Sequence, residues 1–331
     1  MTAARSLAAL FVVIFALLRS APAQACACGC GIFDVGDGTN IPQATDSRLT
    51  VFYRISFMDQ NHNRIAGHDA SPHDNVDKRI ETSFHTLGAE YRLSQTWTLM
   101  GELPVFDRQF TTTGADRLGV PLIETVPLTD FGDATLNLTY TGIAPDMSSG
   151  IGIGIKLPTG RWTSPTDRYG NISIYDRDTL PGTGSTDAQV TGYHVGTLGR
   201  LQYFVQTQFQ MALAARAGYR PGNELDGALG VSYTLPSRVV MRFTPSVQLL
   251  GSLRAHDTGA NADPLDSGYQ RALIAPGLRV QMTRRLSIYG DIEFPIAQYV
   301  NAAASPAANP LGTAGQLVAP VQFKLQINYG L

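Results

Sequence analysis

All three cysteines of the chain stand in one run, Cys26-Ala27-Cys28-Gly29-Cys30. Thiolates are soft ligands suited to copper(I) or zinc, and the glycine-rich stretch from Gly29 to Gly38 could wrap an ion. No downstream cysteine completes a Cys-x-x-Cys pair, and structural zinc sites want four ligands. The competing chemistry is a local disulfide with one thiol left over in an oxidising compartment. Lipid attachment is the third option, against which Ala23 stands where a lipoprotein signal carries Leu. A second set, Asp59, His62, His68, Asp69, His73 and Asp74, holds half of the six histidines. Imidazole with carboxylate is zinc or copper chemistry, but the spacing fits no rigid ligand template, and outer loops collect such residues anyway. The metal candidates are therefore Cys26, Cys28, Cys30, His62, His68 and His73; beyond copper or zinc at the cysteines, no cofactor is expected.

Two other patterns invite chemistry. Ser83 and His85 share one strand face, a nucleophile-and-base spacing that would suit lipid hydrolysis; the placement is similar to that in the outer-membrane phospholipase, whose nucleophile segment is absent here. Gly150-Ile151-Gly152-Ile153-Gly154 has the glycine spacing of a dinucleotide loop, but Leu157-Pro158-Thr159-Gly160 follows where a helix is required. Glycines facing a lumen, with a loop or plug pressed close, explain that run.

The elements that position these residues are strands. In the last segment Leu317, Ala319, Val321, Phe323, Leu325, Ile327 and Tyr329 alternate with Gln322, Lys324, Gln326 and Asn328. Period two puts alternate side chains on opposite faces, and the same rhythm recurs near 48–58, 82–93, 97–110, 132–143, 150–158, 187–199, 201–217, 224–235, 238–253, 269–283 and 286–300. These runs predict about twelve strands. The connections alternate between short turns, such as Ser94 to Thr96 and Arg284-Arg285, and long loops at 59–81, 111–131, 159–186, 254–268 and 301–315. That alternation of short periplasmic turns with long extracellular loops is the signature of an antiparallel up-and-down transmembrane β-barrel.

A soluble barrel or sandwich is the rival, and the polar face excludes it. One face gathers Arg54, Glu90, Arg92, Glu102, Asp133, Lys156, Arg242, Arg271, Arg279, Asp291, Glu293 and Lys324. Burying so many charges in a dry core would cost several kcal/mol each, whereas a hydrated lumen accepts them. They are the expected lumen-lining residues, pairing across the wall or setting a field that selects passing solutes.

The ends complete the organisation. Arg5, the apolar run Leu7 to Leu18 and the stretch ending Ala23-Gln24-Ala25 read as a signal peptide over 1–25, too short an apolar run for a spanning helix. Residues 26–47 form a Cys-containing plug or periplasmic segment, and 48–331 the barrel. The net charge of −2 turns more acidic once Arg5 and Arg19 are removed, and no basic stripe invites nucleic acid.

Three stretches carry a family resemblance: Asp130-Phe131-Gly132-Asp133-Ala134, Gly154-Ile155-Lys156-Leu157-Pro158-Thr159-Gly160 and Pro181-Gly182-Thr183-Gly184-Ser185-Thr186-Asp187. Together they resemble the outer-membrane family of phenol-degradation meta-pathway transporters, related to the long-chain fatty-acid transporter barrels. The resemblance covers chiefly residues 130–200 in motif and implies a channel for small, hydrophobic or aromatic solutes. The cysteine cluster departs from the family pattern, and the chain ends Tyr329-Gly330-Leu331 without the terminal aromatic usual in such barrels.

The expectation is a non-enzymatic porin-like transport protein of a Gram-negative outer membrane, with membrane lipid and a small solute as partners and a periplasmic partner at residues 26–47. The alternatives are a metal-binding or electron-transfer accessory barrel built on the cysteines, and a lipid hydrolase at Ser83.

Overall fold

The computed structural model describes residues 36, 47–115, 118, 120–164, 177–237, 241–309 and 313–331. In chain order the strands are β1 (Leu49–Gln60), the short β2 (His62–Ile65) and β3 (His68–Asp69), β4 (Asp77–Arg92), β5 (Trp97–Ala115), β6 (Pro121–Phe131), β7 (Ala134–Tyr140), β8 (Ser149–Leu157), β9 (Asp187–Leu198), β10 (Leu201–Ala212), β11 (Glu224–Tyr233), β12 (Arg242–Arg254), β13 (Tyr269–Gln281), β14 (Leu286–Val300), β15 (Gln316–Val318) and β16 (Gln322–Gly330).

Twelve of them close into an antiparallel barrel. From β4 the sheet runs through β1, β16, β14 and back in order to β7 and β5, and a β4–β5 pairing seals the ring. Closure leaves no strand edge in the wall, so backbone groups in the span find partners within it, as hydrocarbon demands. The start of β1 and the end of β16 meet at the mouth carrying the short turns, where Leu331 N–H donates to the Leu49 carbonyl at 2.8 Å. That mouth is periplasmic by the loop-length rule.

The two faces differ as the alternation requires. On β16 Leu325 is 45% exposed on the outside, while its neighbours Lys324 and Gln326 are 4% and 1% exposed inside. Ile153 and Ile296 likewise face outward. A continuous apolar exterior around a polar interior is stable only where acyl chains solvate the outside.

Two expectations are corrected. The segment 111–131 is a hairpin, because β5 runs on to pair with β6 from Val105↔Phe131 outward to Ala115↔Pro121. Alternating Thr, Val and Ile sustain pairing beyond the membrane. Leu103 and Pro104 then face three residues, Gly132, Asp133 and Ala134, between the β5–β6 and β5–β7 registers, a β-bulge that re-aims a side chain. The predicted strand 316–330 breaks near Pro320, which cannot donate to a ladder. Its first part swings off to pair with β2, so Leu317 and Ala319 are buried rather than lipid-facing. Leu317 packs with Ile80, Phe110, Leu128 and Leu180 over the long-loop mouth. Over the β8 glycines, side chains of the neighbouring strand stand close: a Cβ on Gly150 would meet the Tyr193 ring at 2.4 Å, and one on Gly152 would meet Thr191 Oγ1 at 2.3 Å.

Candidate functional site

The inner wall is built from cross-strand neighbours. Arg54 on β1 donates to Glu102 on β5 at 2.9 Å and to Gln326 on β16 at 3.4 Å. Lys324 sits 2.9 Å from Glu293 on β14. Asp291 accepts from Tyr289 Oη at 2.6 Å, and Gln248 donates to Tyr289 Oη at 2.6 Å and to Asp291 at 3.2 Å. Opposite charges on nearby strands share the inner face and reach one another across it, and inside the wall such pairs are screened less than at a surface.

The three motif stretches meet in one knot. Asp133, presented by the bulge, accepts from Gly160 N–H at 3.0 Å, Thr183 N–H at 2.9 Å and Thr183 Oγ1 at 2.9 Å. Lys156 lies 3.3 Å from Asp133 and 2.7 Å from Asp187. Asp187 also accepts from Ser185 Oγ at 2.6 Å and Gln210 at 2.8 Å. These bonds draw both ends of the long loop 158–186 into the barrel.

Further along that loop a 3-10 turn, Arg177–Thr179, leads into the buried Leu180. Arg108 on β5, 1% exposed, bonds Thr82 Oγ1 at 2.9 Å and the Thr179 carbonyl. Arg177 lies 4.8 Å from the Tyr219 ring centre and donates to the Thr183 carbonyl at 2.9 Å. Burial, with Asp257 close by and Arg254 only partly offsetting it, pushes the Asp178 carboxyl up to about 7.

Beneath this turn lies a cavity of about 220 Å³. Phe84 and Phe106, edge to face at 4.8 Å, form its apolar wall with Leu180 and Pro181, and Arg54, Glu102, Lys156, Asp178, Glu224 and Arg254 are among its polar lining.

Of the other predicted lumen residues, Arg271 and Arg279 stack on Tyr269 and Tyr289 at 4.8 Å and 5.6 Å. Glu90 and Arg92 are half-buried near the short-turn mouth, and Arg242 is exposed there. The lumen set read from the sequence omits Arg108, Asp178 and Glu224. Arg108 and Glu224 carried the right parity but sat at strand ends, and Asp178 belongs to a loop that no period describes.

His62, His68 and His73 are all exposed, and no group of three or more His, Cys, Asp or Glu able to hold a metal occurs among the described residues. Cys26, Cys28 and Cys30 lie outside the described residues. His85 Nδ1 is hydrogen-bonded to Tyr53 Oη at 2.6 Å, and no hydrogen bond joins it to Ser83 among the described residues. Gly36 is buried inside the barrel, its N–H donating to Gln206 Oε1 at 2.8 Å.

The architecture recurs in solved structures. The fold is that of an outer-membrane β-barrel. The crystal structure of the COG4313 outer membrane channel from Pseudomonas putida F1 superposes with a TM-score of 0.60 at 12% identity, covering 91% of this chain and 100% of that one. The CymD monoaromatic hydrocarbon channel gives 0.43 at 9% identity over 87% of this chain and 89% of its own. A Pseudomonas aeruginosa FadL homologue gives 0.39 at 12% identity over 86% and 90%. No family model and no curated protein matches the chain by sequence.

Proposed function

We propose that this protein is an outer-membrane channel for small solutes with a hydrophobic or aromatic body. The observation that carries the reading is a closed polar lumen holding a cavity of about 220 Å³ with a Phe84–Phe106 wall. An apolar cavity of about 150 Å³ already admits benzene, so this one is on the scale of a single ring with a short substituent. The loop 158–186, tied down at Asp133 and Lys156, sets the constriction. Gly36 sits inside the lumen beside Gln206 and Leu250, which supports the plug reading of the Cys-containing segment over the periplasmic one.

The test is conductance of the refolded mature chain in planar bilayers, together with solute-driven swelling of proteoliposomes, with residues 26–46 present and deleted. Expected are discrete small openings in the intact chain and larger ones after deletion. Absence of current and of flux in both forms would overturn the channel reading.

A further inference from the structure

The cations at the two ends of the barrel stand in different surroundings. At the long-loop end Arg64, Arg79, Arg161 and Arg254 each bridge a carboxylate, at 3.0, 2.8, 3.3 and 2.7 Å. At the short-turn end Arg48, Arg200, Arg284 and Arg285 are exposed, and no carboxylate among the described residues pairs with them. Three of the four stand beside an outward-facing tyrosine. The Arg48 carbonyl accepts from Arg92 N–H at 2.8 Å, and its guanidinium lies 5.2 Å from the Tyr91 ring centre. The Arg285 carbonyl accepts from Gly330 N–H at 2.8 Å, next to Tyr329, and the Arg200 carbonyl from Thr234 N–H at 3.1 Å, next to Tyr233. Tyr91, Tyr233 and Tyr329 are 37%, 43% and 41% exposed. Such aromatic girdles mark the depth at which a barrel wall passes from acyl chains to headgroups, so an arginine one residue nearer the periplasm stands level with the lipid phosphates. The charge is also one-sided. Strands β1, β16 and β14 are adjacent in the wall, which sets Arg48 and the Arg284–Arg285 pair on one arc of the rim, whereas the turn 141–148 carries Asp146 and neither Lys nor Arg.

We propose that this arc is a docking surface for net-anionic phospholipid of the periplasmic leaflet, the lipid phosphate held by Arg48, Arg284 and Arg285 and the acyl chains lying along the wall past Tyr91 and Tyr329. A guanidinium presents a planar fork of N–H donors that meets a phosphate through two bonds at once. Each Lys or Arg near a membrane surface contributes about fivefold in affinity for anionic lipid. A zwitterionic headgroup carries its own cation beside the phosphate, and the surplus of arginines repels it. The long-loop arginines named above, already bridged to carboxylates, offer no such surplus, so the surface belongs to one leaflet. The inference stands apart from the channel reading, because it concerns the outside of the rim and not the lumen.

The experiment uses the mature full-length chain refolded in detergent, stripped of lipid and titrated with phosphatidylglycerol or phosphatidylcholine of identical acyl chains, the bound lipid being counted by native mass spectrometry. Expected is a preference for phosphatidylglycerol of about tenfold or more, falling as salt rises. The triple variant Arg48→Gln, Arg284→Gln, Arg285→Gln is expected to bind both lipids alike while keeping the heat-modifiable mobility of a folded barrel. Arg64→Gln with Arg79→Gln, at the other mouth, leaves the preference unchanged. Equal binding of the two lipids by the unaltered chain overturns the assignment without recourse to any variant. So does a preference that survives the triple substitution. Inorganic phosphate at the same concentration should leave bound phosphatidylglycerol in place, and displacement by it would overturn the lipid assignment in favour of a soluble anion. Conductance plays no part in the readout, so this assignment and the channel reading fail separately.

Discussion

Gly160 and Gly182 lie backbone to backbone: a Cβ on Gly182 would come 2.5 Å from the Gly160 carbonyl carbon, and one on Gly160 would come 2.8 Å from Gly182 Cα. No rotamer relieves such a clash, since the obstructing atoms are main chain. This contact lets both ends of loop 158–186 reach Asp133 at once. Gly182→Ala is therefore expected to push the loop away from Asp133 without opening the barrel wall. Single-channel conductance should rise and proteolysis within 158–186 should quicken, while the folded barrel keeps its heat-modifiable mobility on gels. Unchanged conductance and unchanged cleavage would show that the loop does not set the constriction.

Lys156 holds two carboxylates, Asp133 at 3.3 Å and Asp187 at 2.7 Å, with its own side chain 10% exposed. Lys156→Met keeps the stem and removes the charge, leaving two adjacent buried anions. Breaking a buried pair from one side costs about 3–5 kcal/mol, and the pair here is a triad. The variant should unfold at clearly lower urea concentration than the parent. Adding Asp187→Asn should recover part of the loss, because one stranded charge is gone, and equal stability of single and double variants would refute the coupling.

How much of this was legible beforehand depends on what period two encodes. It names a face, so Arg54, Lys156, Glu293 and Lys324 read as inward and are buried inside, with Glu102 half-buried on the same face. It says nothing about height along the strand, and Arg242, with the same parity, ends exposed at the mouth. It does not forbid apolar residues inside, and Leu250, Leu273 and Phe204 pack together on the inner wall. Loop folding is a matter of cross-barrel contacts, so the burial of Thr179 and Leu180 and the role of Arg108 were out of reach. The motif glycines stand out in the chain, but the contact between Gly160 and Gly182 arises only from the folding of the loop across the barrel.

Asp266, in the loop after β12, gives a pH signature. Burial comes first, with Asp263 and Asp77 adding to it, and outweighs donation from Ala303 N–H and Asn309, holding the carboxyl up at about 7. An unfolded Asp titrates near 3.9, roughly. Between these values the folded loop binds more protons than the unfolded chain, so its stability is full at the acidic end and declines as pH rises towards and through neutrality. Limited proteolysis around 301–309 should therefore be slower near pH 5 than near pH 8 on the order of pH units set by that shift. Asp266→Asn, whose carbonyl still accepts from Ala303 while Asn309 turns its amide, should flatten the profile; a slope that persists in this variant would assign it elsewhere.

Neighbouring residues on one strand give the most direct test of what surrounds the barrel. Leu325 points outward near the middle of β16 and Gln326 points inward, bonded to Asn328 Oδ1 at 2.7 Å. A cation on the lipid face at mid-depth costs about 2–4 kcal/mol, whereas the same cation in a wet lumen costs mainly the contacts it displaces. Leu325→Arg should therefore destabilise the refolded barrel by about that amount in denaturant titrations from lipid vesicles. Gln326→Arg should cost less and show its effect as a shift in ion selectivity, because it lies beside Arg54. In detergent-free water the order would have to invert if the exterior were a solvated surface, since an exposed Leu→Arg change on a soluble strand is close to neutral.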